Sequence, residues 1–443
     1  MILTGRVPLL LLVGVVPIVV LGSFGATAAG ATLVGWLLLV ALLVALDVLV
    51  APSPRRVRLD RELPDAVRLG EPVGATLLVT NLSERRISGL VRDAWQPSAG
   101  ADPSRWPLDL PGGERRAFRT TLTPIRRGER RTEQVTVRSL GPLRIAGRQA
   151  TLLAPGAVRV LPPFRSRRHL PSRLARLREL DGRTLLQVRG QGTEFDSLRE
   201  YVRGDDVRSI DWRATARNAS LPGAGRRLMV RTWRPERDRR IVLLVDAGRT
   251  AAARIADEPR LDTAFEASLL LTALATRAGD RVDLLVWDRR IRARVHDAAA
   301  GEVLHRMVEA MAPVEPELLE TDWSAVPGLV RQLTSQHAFV VLLTSLEGVG
   351  TARGLLSMLP QLTHRHTVVV ASVTDPAVLA MTTDRADRDA VYLAAAAERS
   401  LLETSRLAAA VRRVGADVVT GAPADLPPAL ADRYLALKAA GRL

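Results

Sequence analysis

The 443-residue chain is longer than one domain ordinarily holds, and 47% hydrophobic with 25% charged residues excludes a wholly disordered polymer. It has no cysteine, which excludes disulfides, thiolate metal sites and a cysteine nucleophile, and its six histidines form no HExxH pair. The net charge of +16 is unevenly laid out: residues 51–164 carry 20 Arg against 11 acids, residues 165–240 carry 20 against 10, and residues 241–443 carry 22 basic groups against 25 acidic ones.

Residues 1–52 read as a transmembrane helical hairpin. Val7 to Phe24 and Thr32 to Val50 are apolar runs, interrupted by Pro8, Pro17 and Asp47, with spans expected over about 7–24 and 32–50. Each run is long enough to cross roughly 30 Å of hydrocarbon. Gly25-Ala-Thr-Ala-Ala-Gly30 is expected to be the loop between them. Arg6 precedes the first run and Arg55, Arg56 and Arg58 follow the second, so the positive-inside rule places both ends, and all that follows, in the cytoplasm. The alternative is a signal peptide cleaved near Ala28, since Ala26-Thr27-Ala28 has the form of a cleavage site.

Residues 53–163 read as an antiparallel β-sandwich of about seven strands. Alternating runs such as 75–80, 117–122, 133–138 and 157–161 are separated by turn clusters at Gly70, Gly112-Gly113, Gly128 and Gly141-Pro142. Pro162-Pro163 closes this domain, and a basic connecting region fills 164–240. Within it, Leu170, Leu174, Leu177 and Leu180 recur at helical spacing, with Arg173, Arg176 and Arg178 on the other face. That helix suits either docking on the protein or lying on an anionic lipid surface.

From 241 to 443 strands and helices alternate, as in a doubly wound α/β domain with a mostly parallel sheet. Strands are expected at 241–245, 282–287, 339–343, 367–372 and 417–420, and helices near 262–278, 301–311, 324–334, 352–359, 394–413 and 427–440. Thr263 and Glu266 stand at capping-box spacing, and Gly279 supplies the stop. Ligands of such sheets bind beyond the carboxyl ends of the strands, so a site is expected just after Val245 and Leu343.

Residues 190–217 hold Gly192, Glu194, Phe195, Arg199, Tyr201, Gly204, Asp205, Asp206, Arg208, Ile210, Asp211, Trp212, Ala216 and Arg217. This pattern closely resembles the signature of the family catalogued as domain of unknown function 58. The layout of two spans, a β domain, the motif and a von Willebrand factor A-like domain is also similar to that family. The resemblance implies a MoxR-type AAA+ ATPase as partner and a role in assembling or maturing membrane or envelope complexes.

The von Willebrand A resemblance further implies a magnesium site built from DxSxS, a second-loop Thr and a third-loop Asp. Here Asp246, Thr250 and Thr321 match, but Gly248 replaces the central Ser and Ser345 stands where the Asp is expected. The metal site is therefore degenerate, with Arg249 adding positive charge beside it. The same loops, at Asp246, Thr250, Thr321 and Thr344, are expected to dock a protein partner.

The motif acids admit two further readings. One is an envelope-related hydrolase that uses these carboxylates. The other is an internal brace, in which Asp211-Trp212 locks the segment onto the α/β domain. No His or Lys accompanies the acids within 190–217, which favours a protein that is not an enzyme. Walker and dinucleotide motifs are missing. The arginine excess permits nucleic-acid binding, but only 4% of residues are aromatic, and the arginines lack a stacking platform. Anionic lipid explains the charge better, and no nucleic-acid partner is expected.

Overall fold

The computed structural model describes residues 1–187, 194–202, 205–219, 227–234, 239–347 and 349–443. It divides into two compact units, Met1–Leu161 and Pro162–Leu443.

In the first unit, β1 (Ile2–Leu3) precedes α1 (Arg6–Val13), α2 (Val15–Gly22) and α3 (Ala26–Val50). Only α3 is long and apolar enough to cross a membrane; the apolar stretch Arg6–Gly22 is shorter. The helices pack closely at Gly14, where an added Cβ would stand 2.1 Å from Trp36 Nε1. Trp36 Nε1 donates to the Leu10 carbonyl at 3.0 Å.

The expected loop at 25–30 is corrected, because α3 begins at Ala26. Gly25 alone makes the break at φ 134°, while the following alanines are strong helix formers. The acidic residue near the end of α3 also has a physical reason. Asp47 is buried, and its carboxylate accepts backbone N–H bonds from Leu143 (2.8 Å), Ile145 (2.9 Å) and Ala146 (2.8 Å), pinning the helix end to the β layer.

The strands that follow are β2 (Val57–Glu62), β3 (Ala66–Arg68), β4 (Val73–Asn81), β5 (Ile87–Trp95), β6 (Ala101–Asp102), β7 (Arg105–Leu110), β8 (Arg115–Leu122), β9 (Gly128–Leu140) and β10 (Ala146–Leu161). One sheet runs β1-β10-β9-β5-β7 with β3 beside β10, and the other runs β2-β4-β8-β6. Alternate side chains of both sheets meet in one cluster: Val57, Leu77, Val79 and Phe118 from the second sheet against Ile87, Val91, Leu108, Leu110, Val135 and Val137 from the first. Period-two burial along β4 and β8 is the signature of half-buried strands.

The second unit opens with α4 (Leu170–Gln187), then β11 (Glu194–Glu200), α5 (Trp212–Ala219) and β12 (Met229–Arg234), with β11 and β12 paired antiparallel. In α4, Leu177 is buried and Arg173 pairs with Asp432 at 2.8 Å, so this helix docks on the protein. The α/β core follows as β13 (Arg240–Asp246), the short β14 (Arg254–Ile255) and β15 (Glu258–Pro259), α6 (Arg260–Arg277), β16 (Arg281–Trp287), β17 (Ile291–Val295), α7 (Val303–Met311) and α8 (Val326–Leu333). It continues with β18 (Ala338–Leu343), α9 (Val349–Thr363), β19 (Thr367–Val373), α10 (Pro376–Met381), α11 (Arg388–Arg413), β20 (Asp417–Gly421) and α12 (Leu426–Ala439).

Its sheet order is β17-β16-β13-β18-β19-β20, parallel throughout except for the antiparallel edge strand β17. β13 is central, and Ile241 to Asp246 are all buried, as expected of a strand covered on both faces. The capping-box expectation at Thr263 is corrected. α6 starts at Arg260, the Thr263 hydroxyl donates to Glu258 at 2.7 Å, and Glu266 accepts from the Ser166 N–H. Gly279 does end this helix, at φ 80°.

Candidate functional site

The carboxyl end of β13 delivers Asp246 into a knot of three loops. The loop after β13 and the stretch before α8 are held together by Glu317 N–H to the Ala247 carbonyl at 2.9 Å and Arg249 N–H to the Leu319 carbonyl at 2.8 Å. The third loop follows β18, where Thr344 N–H donates to the Ala371 carbonyl at 3.0 Å.

Side chains from all three loops converge on one carboxylate. Asp246 Oδ1 accepts from the Gly248 N–H at 2.8 Å and from the Thr321 hydroxyl. Oδ2 accepts from Thr344 at 2.7 Å and from Thr250 at 3.4 Å. Asp246, Thr250, Thr321 and Thr344, named from sequence as metal or docking residues, are thus a single assembly. Burial pushes the Asp246 carboxyl above its ordinary range, against the opposing pull of these four bonds.

A small cleft opens beside the carboxylate, lined by Asp246, Thr250, Thr344, Ser345 and Arg260 among others. The residues present do not fit a magnesium ion. Asp246 is the one carboxylate lining the cleft, its oxygens are already engaged by four donors, and a guanidinium lines the same space. A hard dication needs several oxygen ligands and net negative charge. Nor could a serine replace Gly248 in place, because its Cβ would stand 2.3 Å from Thr321 Oγ1 and 2.8 Å from the Leu319 carbonyl.

The cation expected beside the site is also reassigned. Arg249 is exposed and paired with Glu320 at 2.6 Å. Arg260, the first residue of α6, supplies the buried positive charge. Nothing in its sequence surroundings marks it, since it is brought to the cleft by the Ala253 to Glu258 excursion that ends in β15.

The signature residues form a separate small assembly. Arg199 grips Asp205 through both its terminal nitrogens, at 2.7 and 2.6 Å, and Asp205 also accepts from the Val202 N–H at 2.9 Å. Asp206 caps a short turn by accepting from the Arg208 N–H at 2.9 Å. Tyr201 N–H bonds the Leu228 carbonyl at 2.8 Å. Asp211 caps α5 through the N–H groups of Arg213 (2.9 Å) and Ala214 (3.0 Å) and accepts from Arg231 on β12 at 2.8 Å. The Ala214 bond, then Arg231, holds the Asp211 carboxyl below its ordinary range. Arg217 Nε reaches the Arg213 carbonyl at 3.4 Å.

The motif acids Asp205, Asp206 and Asp211 are therefore spent on caps and ion pairs. Trp212 does not lock the segment down, because it is 66% exposed. Gly192 and Gly204 lie outside the described residues, as do the side chains of Glu194 and Phe195. Among the described residues, no motif side chain lines the cleft at Asp246.

A third cluster escaped the sequence reading. At the amino ends of β13 and β16, His296 Nδ1 lies 2.9 Å from Asp283, His296 Nε2 lies 3.2 Å from Asp297, and Arg240 Nε lies 2.9 Å from Asp283. Arg240 already supplies the positive charge there, so the group reads as a brace at the far end of the sheet.

A mostly parallel sheet whose central strand ends in an aspartate, bound by hydroxyls from its own and two neighbouring loops, defines a doubly wound α/β unit with its polar knot at the carboxyl end of the sheet. The model of the family described as "Protein of unknown function DUF58" matches residues 197–413, just under half of the chain. Uncharacterized proteins of Mycobacterium tuberculosis and Mycobacterium bovis are 26% identical over 200 residues, 44% of this chain and 60% of theirs. The match thus spans under two thirds of those relatives. Similar solved structures include a von Willebrand factor type A protein from Catenulispora acidiphila (12% identity, 48% of this chain and 44% of that one, TM-score 0.29). Another is an aerotolerance-related membrane protein from Bacteroides fragilis (14% identity, 45% and 98%, TM-score 0.27).

Proposed function

We propose that this protein is a membrane-anchored adaptor that docks a protein partner through the strand-end loops of its α/β unit. The observation that carries the reading is the Asp246 knot. Four donors hold a buried carboxylate at the mouth of a cleft, three of them hydroxyls spent on that carboxylate, while the adjoining loop presents Leu318 to solvent at 74% exposure. A rigid polar recess flanked by an exposed apolar side chain is the anatomy of a docking surface rather than of a hydrolytic centre.

The apolar N-terminal helices are read as a two-pass hairpin and the two-sheet layer as a sandwich, with both soluble parts in the cytoplasm. The exposed Leu38, Leu42, Leu46 and Leu49 along α3 suit a lipid surround. By family resemblance the partner is a MoxR-type AAA+ ATPase, and the setting is assembly or maturation of membrane or envelope complexes.

The test is purification of the intact protein from its native membranes, wild type against Asp246→Asn, with mass spectrometry of what accompanies it. An ATPase enriched with wild type and reduced with the variant supports the reading; equal recovery with both removes the site from it. Single cysteines placed at Ser23 and Ser400 test the topology. Labelling in intact cells at Ser23 alone is the expected result, and labelling at Ser400 overturns the cytoplasmic placement.

A further inference from the structure

The donor count at Asp246 leaves one buried group of the same cleft unused. Arg260 is 7% exposed, and its Nη1 donates to Ser345 Oγ at 2.9 Å. Its Nη2 donates to Glu347 Oε1 at 2.5 Å. Its Nε–H is buried and has no hydrogen-bond partner. Nε and Nη2 form one edge of the guanidinium, the edge that takes both oxygens of a carboxylate in two parallel bonds. Glu347 engages only half of it. A buried donor left unmet is a cost that a better-placed carboxylate removes.

We propose that Arg260 is the receptor for an acidic side chain of the partner protein, with Glu347 as the chain's own occupant of that position. The proposal rests on the docking reading of this cleft and names the chemistry of its contact. Glu347 is 41% exposed on its side chain, so it can turn out to solvent and yield its place. Ser345 keeps the guanidinium aimed after it leaves, because the Nη1 bond is independent of Glu347. A carboxylate suits the cleft better than a phosphate, because a dianion would be repelled by Asp246 in the same lining.

The experiment uses the full chain in detergent with EDTA present and a fluorescein-labelled hexaglutamate peptide as probe, read by anisotropy. Glu347→Gln is expected to tighten binding at least fivefold and Arg260→Gln to weaken it at least tenfold. Arg406→Gln, on the exposed face of α11, is expected to leave it unchanged and so measures non-specific attraction to the basic surface. Arg260→Lys guards against misfolding, since it keeps the charge but lacks the two-donor edge, and it is expected to weaken binding as well. The proposal is overturned if wild type and Glu347→Gln both fail to bind, if Arg260→Gln and Arg260→Lys bind as wild type does, or if binding requires added magnesium.

Recovery of the partner from membranes separates this idea from the docking reading. Loss with Asp246→Asn but not with Arg260→Gln keeps the docking site and discards the acidic contact. No change with either variant discards both.

Discussion

A Cβ on Gly248 would stand 2.3 Å from the Thr321 hydroxyl, so the missing side chain at 248 is what lets the loop before α8 close onto Asp246. The same Cβ would press on the Leu319 carbonyl at 2.8 Å, which is backbone and cannot swing aside. Gly248→Ala is therefore expected to destabilise the α/β unit by about 1–3 kcal/mol, the usual range for an overpacked site. Thermal melting measures this directly. Gly248→Ser restores the residue type of a metal site, yet it is expected to melt earlier too, with no recovery on adding magnesium. A magnesium-dependent rise in its melting temperature would show that the loop can open into a cation site.

Asp246 carries a pH signature whose sign is fixed by its surroundings. Burial raises its carboxyl above the unfolded value near 3.8. Protonation is then easier in the folded state, so this group's stabilising contribution is full below about pH 4 and is lost as pH rises through the folded value. Asp246→Asn has no such loss. The difference in melting temperature, variant minus wild type, is expected to grow in the variant's favour between pH 4 and neutrality. A difference that stays flat across melts at pH 4, 5, 6 and 7 would contradict the raised carboxyl.

The sequence made the α/β unit legible because its strands are continuous apolar runs bounded by turn residues, and β13, β16, β18, β19 and β20 fall where that pattern places them. The edge strand β17 was missed; Arg292 and Arg294 alternate through Ile291 to Val295, so it lacks the continuous apolar run that marks the other strands. The Thr263–Glu266 spacing misled because buried partners from elsewhere in the fold, Glu258 and Ser166, claimed both side chains. Asp246 and Thr344 were legible because strand-end position is a topological property that pattern delivers, whereas Thr250 and Thr321 were named only through the resemblance of their loops to a metal-site pattern. Arg260 and the Asp283–His296–Asp297 group were not, because their partners lie as much as 87 positions away and share no motif.

The two sheets of the first unit are joined by a buried ion pair. Arg61 on β2 meets both oxygens of Asp93 on β5 at 2.7 Å, and Trp95 and Thr132 also donate to that carboxylate, at 2.9 and 3.2 Å. Their side chains are 7% and 2% exposed. Removing one partner strands the other charge, so Asp93→Ala is expected to cost roughly 3–5 kcal/mol. The double variant Arg61→Met/Asp93→Leu should recover much of that loss, since it leaves no buried charge behind. Chemical denaturation of the full chain checks both, and a double variant no better than the single one would assign the cost to packing instead.

Asp211 and Trp212 are neighbours with opposite roles, and together they decide what the signature segment is for. Asp211 secures the start of α5 and ties it to β12 through Arg231, so Asp211→Ala is expected to lower the melting temperature of the second unit. Because its carboxyl is held below the ordinary range, wild type keeps this contribution above about pH 4 and loses it as pH falls further. The gap between wild type and variant should therefore narrow on acidification. Trp212 stands 66% exposed, so Trp212→Ala should leave the melting temperature nearly unchanged. An exposed tryptophan in a segment whose described acids are bound up in caps and ion pairs is available to a partner, and aromatic anchors are enriched at interface hot spots. Partner recovery from membranes is thus expected to drop with Trp212→Ala at unchanged stability. A drop in stability with unchanged recovery would make the segment a brace and nothing more.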